Sequence, residues 1–434
     1  MNEGHSALLL VERLKGFTTS MSLSKAIERV KASSILTIHT PVAAGNERFD
    51  VKLMRPVLAS LLGNSAIKGS QLEARAVDSE GTKGIFDLTA LAIRFSRLQN
   101  GVSLLHGRTA DGTWRKVAGQ ELIGLTNGVH MPTWLGPEMR ALAESKSAQF
   151  HNATIFPKLD GSDWRGITEA SDSEVWEAHR AQKERLIDFA RRRIFEQKAR
   201  HGEGPTPLRE VLDQMNPEAL TIGFARRFAT YKRAHLLFQN PKRLAALLSD
   251  SSRPVQVVFA GKAHPADREG QALIAEIYKQ TQKYKGKVFF LEDYDMETGR
   301  RLVQGVDIWL NNPRRPLEAS GTSGMKAAAN GVPNVSILDG WWDEACREGD
   351  LRNGWAIGTR ETVKSESRQD KIDGNALYHV LENEVIPLFF DRSGVDRLPR
   401  GWIKVMKESM ASSLWQFSTA RMLLEYEARM VNQG

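Results

Sequence analysis

Between Leu220 and Leu338 the chain repeats one pattern, and that pattern restricts the fold more than any other feature. Short apolar runs occur at Leu220–Phe224, Val255–Ala260, Val288–Leu291, Val306–Leu310 and Asn334–Leu338, and helix-like stretches separate them, most clearly Asp267–Tyr284. Strands that are apolar on both faces need cover on both faces. Helices between consecutive strands supply that cover when the sheet is parallel and doubly wound, so the expected class is α/β. In such sheets ligands bind beyond the carboxyl ends of the strands. The candidate functional loops are therefore Ala225–Arg233, Gly261–Pro265, Glu292–Asp295 and Glu318–Lys326.

With 434 residues the chain is long for one core, so two large domains are expected. The first half is more mixed. Ala7–Leu14 and Leu23–Ala32 have helical spacing, and Ser34–Thr40 alternates like a strand and stops at Pro41. His39 near the tip of that strand is a candidate ligand position, although a lone histidine is more often structural. Gly84–Gln99 reads as a buried helix, Leu122–Val129 as strand and turn, Pro137–Ser147 as a helix and Asn152–Gly166 as a loop. The long helix Ser173–His201 runs into Gly202-Glu203-Gly204-Pro205, the best linker in the chain. The expected division is 1–204, 205–402, and a helical tail 403–434 (Ile403–Met430) that packs back across both.

One cysteine, Cys346, excludes a disulfide framework and fits a reducing compartment. The longest N-terminal apolar run, Ala7–Val11, is too short for a signal or a membrane span, so the expected location is the cytoplasm. The net charge of +8 favours anionic ligands. Ala190–Arg193 lies among acidic residues in the long helix and reads as a solvated face, and no nucleic-acid module stands out. Neither nucleic acid nor a membrane is an expected partner. A homo-oligomer is compatible with the sequence but not specified by it.

Two loops carry the chemistry. Glu318-Ala-Ser-Gly-Thr-Ser-Gly-Met-Lys326 follows a strand and opens a helix that closes at Asn330-Gly331. Small residues let backbone N–H groups approach an anion, and the helix N-terminus adds partial positive charge. Lys326 could then be a phosphate contact, a Schiff-base amine or a plain solvated lysine. Ala225–Arg233 puts four cations after the first strand: Arg226, Arg227, Lys232 and Arg233. Arg227 and Lys232 suit phosphate, one as a planar fork and one as a point charge. The plain alternative is a basic surface helix start, which the helix dipole disfavours.

These loops, with Gly261-Lys-Ala-His-Pro265 between them, resemble the glycogen/α-glucan phosphorylase family. The resemblance extends through Asn2-Glu-Gly-His5, Thr37-Ile-His-Thr-Pro41, Thr126-Asn-Gly-Val129, Leu338-Asp-Gly-Trp-Trp342 and Asn353-Gly-Trp-Ala-Ile-Gly358, nearly the whole chain. The chain looks like the shorter bacterial branch rather than the muscle-type enzymes; Ser323-Gly324 departs from the muscle-type Gly-Asn in a way that the shorter branch tolerates.

The resemblance implies a two-lobed glycosyltransferase-B-type architecture with the active site in the cleft: a Rossmann-like C-terminal domain and a partial N-terminal one. It implies phosphorolysis of α-1,4-glucan (glycogen, maltodextrin) by inorganic phosphate to glucose 1-phosphate. It also implies pyridoxal 5′-phosphate on Lys326 as a Schiff base, working through its phosphate. By position, Arg226, Thr322, Ser323 and Gly324 would hold the cofactor phosphate, and Tyr294 and Trp134 would flank its ring. Arg227 and Lys232 would hold the substrate phosphate. His39, Asn127, Glu318, Ser320 and Gly321 would bind the glucosyl hydroxyls. Trp341 and Trp342 read as core.

Family members carry a long region before the Asn-Glu-Gly-His motif, including a glycine-rich loop on the substrate phosphate. Here Met1 precedes Asn2, so the chain reads as the back portion of a phosphorylase, and residues 1–434 alone are expected to have little phosphorolytic activity. The alternatives are a non-catalytic remnant that binds glucan or cofactor, and a nucleotide-sugar-dependent glucan synthase, against which Lys326 argues.

Overall fold

The computed structural model of the protein describes residues 1–41, 46–78, 80–146 and 162–432. The chain forms two compact units: Met1–Asn127 with Pro316–Ser320 and Met422–Gly434, and Gly128–Arg315 with Gly321–Arg421.

The smaller unit contains β1 (Ile35–Thr37), β2 (Arg48–Asp50), β3 (Ile85–Asp87), β4 (Leu98–Gly101) and β5 (Ile123–Gly124). A parallel sheet runs β1-β4-β5, and β2 and β3 pair antiparallel. Helices Leu8–Phe17 and Leu23–Ala32 form where the apolar spacing predicts, and they bury Leu10, Val11, Leu14, Ala26 and Val30. The expected helix over Gly84–Gln99 is instead β3, a helix Leu88–Arg94 and β4. The Asp87 carboxylate starts that helix by accepting from the Ala90 N–H at 2.9 Å. A continuous apolar run does not distinguish these elements by periodicity.

The larger unit holds six parallel strands: β6 (Leu220–Ala225), β7 (Val255–Ala260), β8 (Val288–Leu291), β9 (Ile308–Asn311), β10 (Asn334–Ile337) and β11 (Gly354–Ile357). Their order is β11-β10-β9-β6-β7-β8. Read in sequence order this is the doubly wound 3-2-1-4-5-6 arrangement. The parallel sheet is thus as expected, with one strand more than the five read from the sequence. A mixed α/β chain with parallel sheets of this kind is the make-up of a phosphorylase-type glycosyltransferase-B fold.

The break between units falls at Asn127/Gly128, not at the expected Gly204/Pro205. The long helix Asp172–Arg200, started by a Ser171/Glu174 capping box, belongs to the larger unit. A buried ionic cluster ties it to the sheet. Asp307, which the sequence reading placed inside a strand, precedes β9 and is fully buried. It takes His179 Nε2 at 2.9 Å, Lys183 Nζ at 2.6 Å and the Thr221 N–H at 2.6 Å.

Two further expectations change. The 403–430 segment is not one helix: helix Arg400–Ser413 ends before helix Thr419–Tyr426 and a π-turn Glu427–Val431. The break exists because Val129 bridges to this stretch, its N–H donating to Phe417 O at 2.8 Å and its carbonyl accepting from Thr419 N at 3.0 Å. Of the expected loop Asn152–Gly166, residues 152–161 lie outside the described residues, and Ser162–Glu169 is a 3-10 helix. Trp341 and Trp342 are fully buried, as expected of core. Among the described residues no helix is long and apolar enough to cross a membrane.

Candidate active site

In the larger unit the topological switch point lies between β6 and β9, which pair Ile222 with Ile308 and Gly223 with Trp309. Because all six strands run parallel, the segments beginning at Arg226, Gly261, Glu292, Asn312, Leu338 and Gly358 all leave at one sheet edge. Sequence alone identifies those segments as loops. The strand order decides which two flank the crevice, namely those after β6 and β9.

The cations after β6 divide by environment. Arg226 and Lys232 are buried, Arg227 is exposed, and Lys232 Nζ sits 4.9 Å from the centroid of the Tyr231 ring. Thr230–Lys232 forms a 3-10 turn. Arg233, one of the four candidate anion-binding cations, is structural. Its guanidinium donates to Asn312 O at 2.9 Å, Pro313 O at 2.7 Å, Asp370 at 2.9 Å and Asp373 at 2.7 Å. It thereby fastens the loop after β6 to the loop after β9.

The lysine loop ends at helix Thr322–Ala329, which Asn330 caps, as the expected close at Asn330-Gly331 has it, and which takes in Lys326 and the end of the loop. Gly321 precedes it with φ 87°, a conformation costly for residues with a Cβ. Thr322 and Ser323 occupy the first turn, where backbone N–H groups have no intrahelical acceptor. The Ser323 hydroxyl accepts from Trp309 Nε1 at 3.3 Å. Gly324 has a packing role: its N–H donates to Gly321 O at 3.0 Å, and a Cβ there would lie 2.5 Å from Asn334 Oδ1.

Lys326 is half-buried on the second turn. Its Nζ lies 3.5 Å from the centroid of the Trp134 ring, and burial brings its pKa down to about 8. Trp134 closes the short helix Met131–Trp134. Its carbonyl accepts from Asn330 Nδ2 at 2.9 Å and Gln304 Nε2 at 3.3 Å. Asn330 also donates to Lys326 O at 2.8 Å and accepts from the Gly136 N–H at 2.7 Å. The sequence marks Asn330 only as a helix stop, so its clamp between Lys326 and Trp134 was not legible there. Tyr294 is half-buried against Gly299, and burial, then the Asp295 charge, raises its phenol pKa.

The smaller unit carries His39, Asn127, Glu318 and Ser320. The Asn-Glu-Gly-His turn holds His39: Glu3 Oε1 accepts the His39 N–H at 2.7 Å and the Thr40 hydroxyl at 2.9 Å. His39 Nε2 stands 3.2 Å from Asn2 Oδ1, and burial, then His5, lowers the His39 pKa. An amide oxygen can only accept, so this contact puts the proton on Nε2 and leaves Nδ1 as an acceptor. The Asn127 N–H donates to Val102 O at 3.0 Å, and the Val102 N–H donates to His106 Nδ1 at 3.2 Å. Burial, then His39, lowers the His106 pKa to about 4, so this imidazole stays neutral. His106 is a support that sequence reading did not single out. Glu318 and Ser320 are both buried.

The predicted residues therefore sort by chemistry. Four of the five assigned to sugar hydroxyls lie in the smaller unit, whereas Gly321 and every residue assigned to cofactor or phosphate lie in the larger.

The sequence pattern of the carbohydrate phosphorylases matches residues 1–387. A maltodextrin phosphorylase of Thermococcus litoralis is 39% identical over 98% of this chain and 50% of its own length. A glycogen phosphorylase of Aquifex aeolicus is 37% identical over 98% of this chain and 61% of its own. One of Mycobacterium bovis is 34% identical over 98% of this chain and 50% of its own. The chain thus spans about half to three-fifths of the length of these relatives. With the family pattern running through the lysine loop and the cation-bearing loop Ala225–Arg233, the chain belongs to the carbohydrate phosphorylase family.

Proposed function

We propose that the chain carries the glucosyl-transfer machinery of an α-glucan phosphorylase, which moves glucosyl units between α-1,4-glucan and inorganic phosphate with glucose 1-phosphate as product. The observation that carries this reading is Lys326: a half-buried amine with a pKa near 8, on the helix after the switch-point strand, against the face of Trp134.

These residues suit pyridoxal 5′-phosphate. A partly neutral amine is the nucleophile that an aldehyde requires. Trp134 offers a flat wall to a ring, and the first turn of the 322–329 helix, with buried Arg226, offers N–H and hydroxyl donors to a phosphate. Lys326 would hold the ring, Tyr294 would flank it with Trp134, and Arg226, Thr322 and Ser323 would hold the phosphate. When bound, the cofactor supplies a phosphate that exchanges a proton with the substrate phosphate.

Two phosphates in proton contact repel, so fixed cations are required. Arg227 and Lys232 take the substrate phosphate in this reading. His39, Asn127, Glu318, Ser320 and Gly321 take the glucosyl hydroxyls, with His39 accepting at Nδ1. The physiological partners are then α-1,4-glucan and phosphate, and the setting is the cytoplasm.

The test has two arms. Borohydride treatment of cofactor-loaded protein followed by peptide mapping is expected to leave a pyridoxyl group on Lys326. Residues 1–434 alone are expected to form little glucose 1-phosphate from maltoheptaose and phosphate, and what they do form is expected to be lost in Lys326→Ala. A pyridoxyl group elsewhere, or product formation unaffected by Lys326→Ala, would overturn the reading.

A further inference from the structure

A groove of about 620 Å³ in the larger unit runs between the Met131–Trp134 turn, helix Pro137–Lys146 and helix Met296–Gly305. Its charged lining is one-sided: Arg140, Arg300 and Arg301 face one carboxylate, Glu297. Arg140 and Arg301 each have a carboxylate partner one helical turn away, Glu144 outside the lining at 2.8 Å and Glu297 within it at 3.3 Å. Such surface pairs are weak and exchange readily for a better anion. Arg300 is exposed and makes no ion pair among the described residues.

A second observation points the same way. Arg185 lies near enough to Arg301 to feel its charge: burial, then Arg301, lowers the Arg185 pKa, even though Arg185 is paired with Glu138. Among the described residues four arginines here meet three carboxylates, Glu138, Glu144 and Glu297, which leaves Arg300 uncompensated, and a bound anion would offset that charge.

From this lining we infer that the groove is a second anion site, built for a sugar phosphate and separate from the residues assigned to catalysis. Guanidinium groups bind phosphate through paired N–H donors, and Arg300 with Arg301 or Arg140 supplies such donors. The volume falls within the range of small-molecule sites and is far more than a bare phosphate fills. The rest of the lining fits a sugar body, with Pro132 and Met296 offering apolar surface and Thr133 a hydroxyl. Gln304 lines the groove and donates to the Trp134 carbonyl, so a ligand here touches the support of Trp134 without touching Lys326.

The test is calorimetric titration with ribose 5-phosphate at low ionic strength, with inorganic phosphate as the comparison. It reads binding, not turnover, so it stands whether or not the catalytic reading does. Arg140→Ala/Arg300→Ala replaces groove side chains on the surface and is expected to keep the parent melting temperature. It is expected to weaken ribose 5-phosphate at least about tenfold, the usual effect of losing hydrogen bonds to a charged group. Lys232→Ala, in the other anion site, is expected to leave that affinity unchanged. No saturable binding by the parent, or equal affinity in the arginine variant, would overturn the groove site. Loss of binding in Lys232→Ala would assign the anion to the catalytic set instead. Inorganic phosphate binding as tightly as ribose 5-phosphate would overturn the sugar-phosphate class.

Discussion

The amine of Lys326 rests 3.5 Å from the centroid of the Trp134 ring, and one side chain, Asn330, holds both partners through their carbonyls. The contact sets the proton affinity of the amine, because the same packing that brings the ring close keeps water away and brings the pKa to about 8.

That shift has a stability consequence with a definite sign. Between about pH 8 and the ordinary lysine value of ~10.4, the unfolded chain binds a proton that the folded chain does not. Stability from this group therefore rises with pH across that window, and below it the folded state carries a poorly solvated cation. In cofactor-free protein, Lys326→Met is expected to be more stable than the parent at pH 7, by on the order of 1 kcal/mol after allowing for partial solvent access. Calorimetry at pH 7 and pH 10 checks this: the advantage should shrink at the higher pH. An advantage that does not change with pH would contradict the assigned shift.

Asp307 is expected to be a principal electrostatic support of the larger unit. Burial alone would raise its pKa, but Lys183 and His179 more than offset it, so the net shift is downward. A depressed carboxylate contributes stability that is present at neutral pH and is lost as pH falls through its folded pKa. Asp307→Asn leaves Lys183 buried without its counter-charge and is expected to cost about 3–5 kcal/mol in urea unfolding at pH 7. The gap between variant and parent should narrow in acid, below about pH 4.

Lys232 and Arg233 are neighbours to which the proposed function gives different tasks. Arg233→Met removes the buried partner of Asp370 and Asp373 and is expected to cost about 3–5 kcal/mol of stability. Lys232→Ala is expected to cost less stability and, in active protein, to raise the KM for phosphate about tenfold or more, with the KM for glucan nearly unmoved. Urea unfolding and initial-rate kinetics on both variants separate the roles. An unchanged KM for phosphate in Lys232→Ala would refute its assignment.

Gly324 tests the distinction between packing and ligand contact. An added Cβ would stand 2.5 Å from Asn334 Oδ1 and 2.8 Å from Trp341 Nε1. Gly324→Ala is therefore expected to cost about 1–3 kcal/mol through overpacking, with or without cofactor. Thermal unfolding of the cofactor-free variant is the check, and a melting temperature equal to the parent's would show that the helix shifts freely.

The amino-acid sequence by itself determined the local elements and the kinds of chemistry. Val255–Ala260 and Val288–Leu291 are strands with the bounds their apolar runs mark, because a short, largely apolar and β-branched or aromatic run between turn or polar residues has few other solutions. The small-residue loop and its lysine likewise followed from residue types and spacing, and the family from the motifs that contain them. What tertiary structure decided was adjacency. Only the sheet order puts β6 beside β9, and so makes the loops after them the walls of the crevice. Only packing separates Arg233, buried between two carboxylates, from the exposed Arg227 six residues earlier. Asp307 passed unremarked inside the apolar run Val306–Leu310 because its partners, His179 and Lys183, lie more than a hundred residues away. The division at Asn127/Gly128 was hidden for the same reason. Glycine and proline at 202–205 announce a turn, but whether a turn is a boundary depends on which surfaces are buried on either side. Burial is a sum over distant contacts that no local stretch of sequence contains.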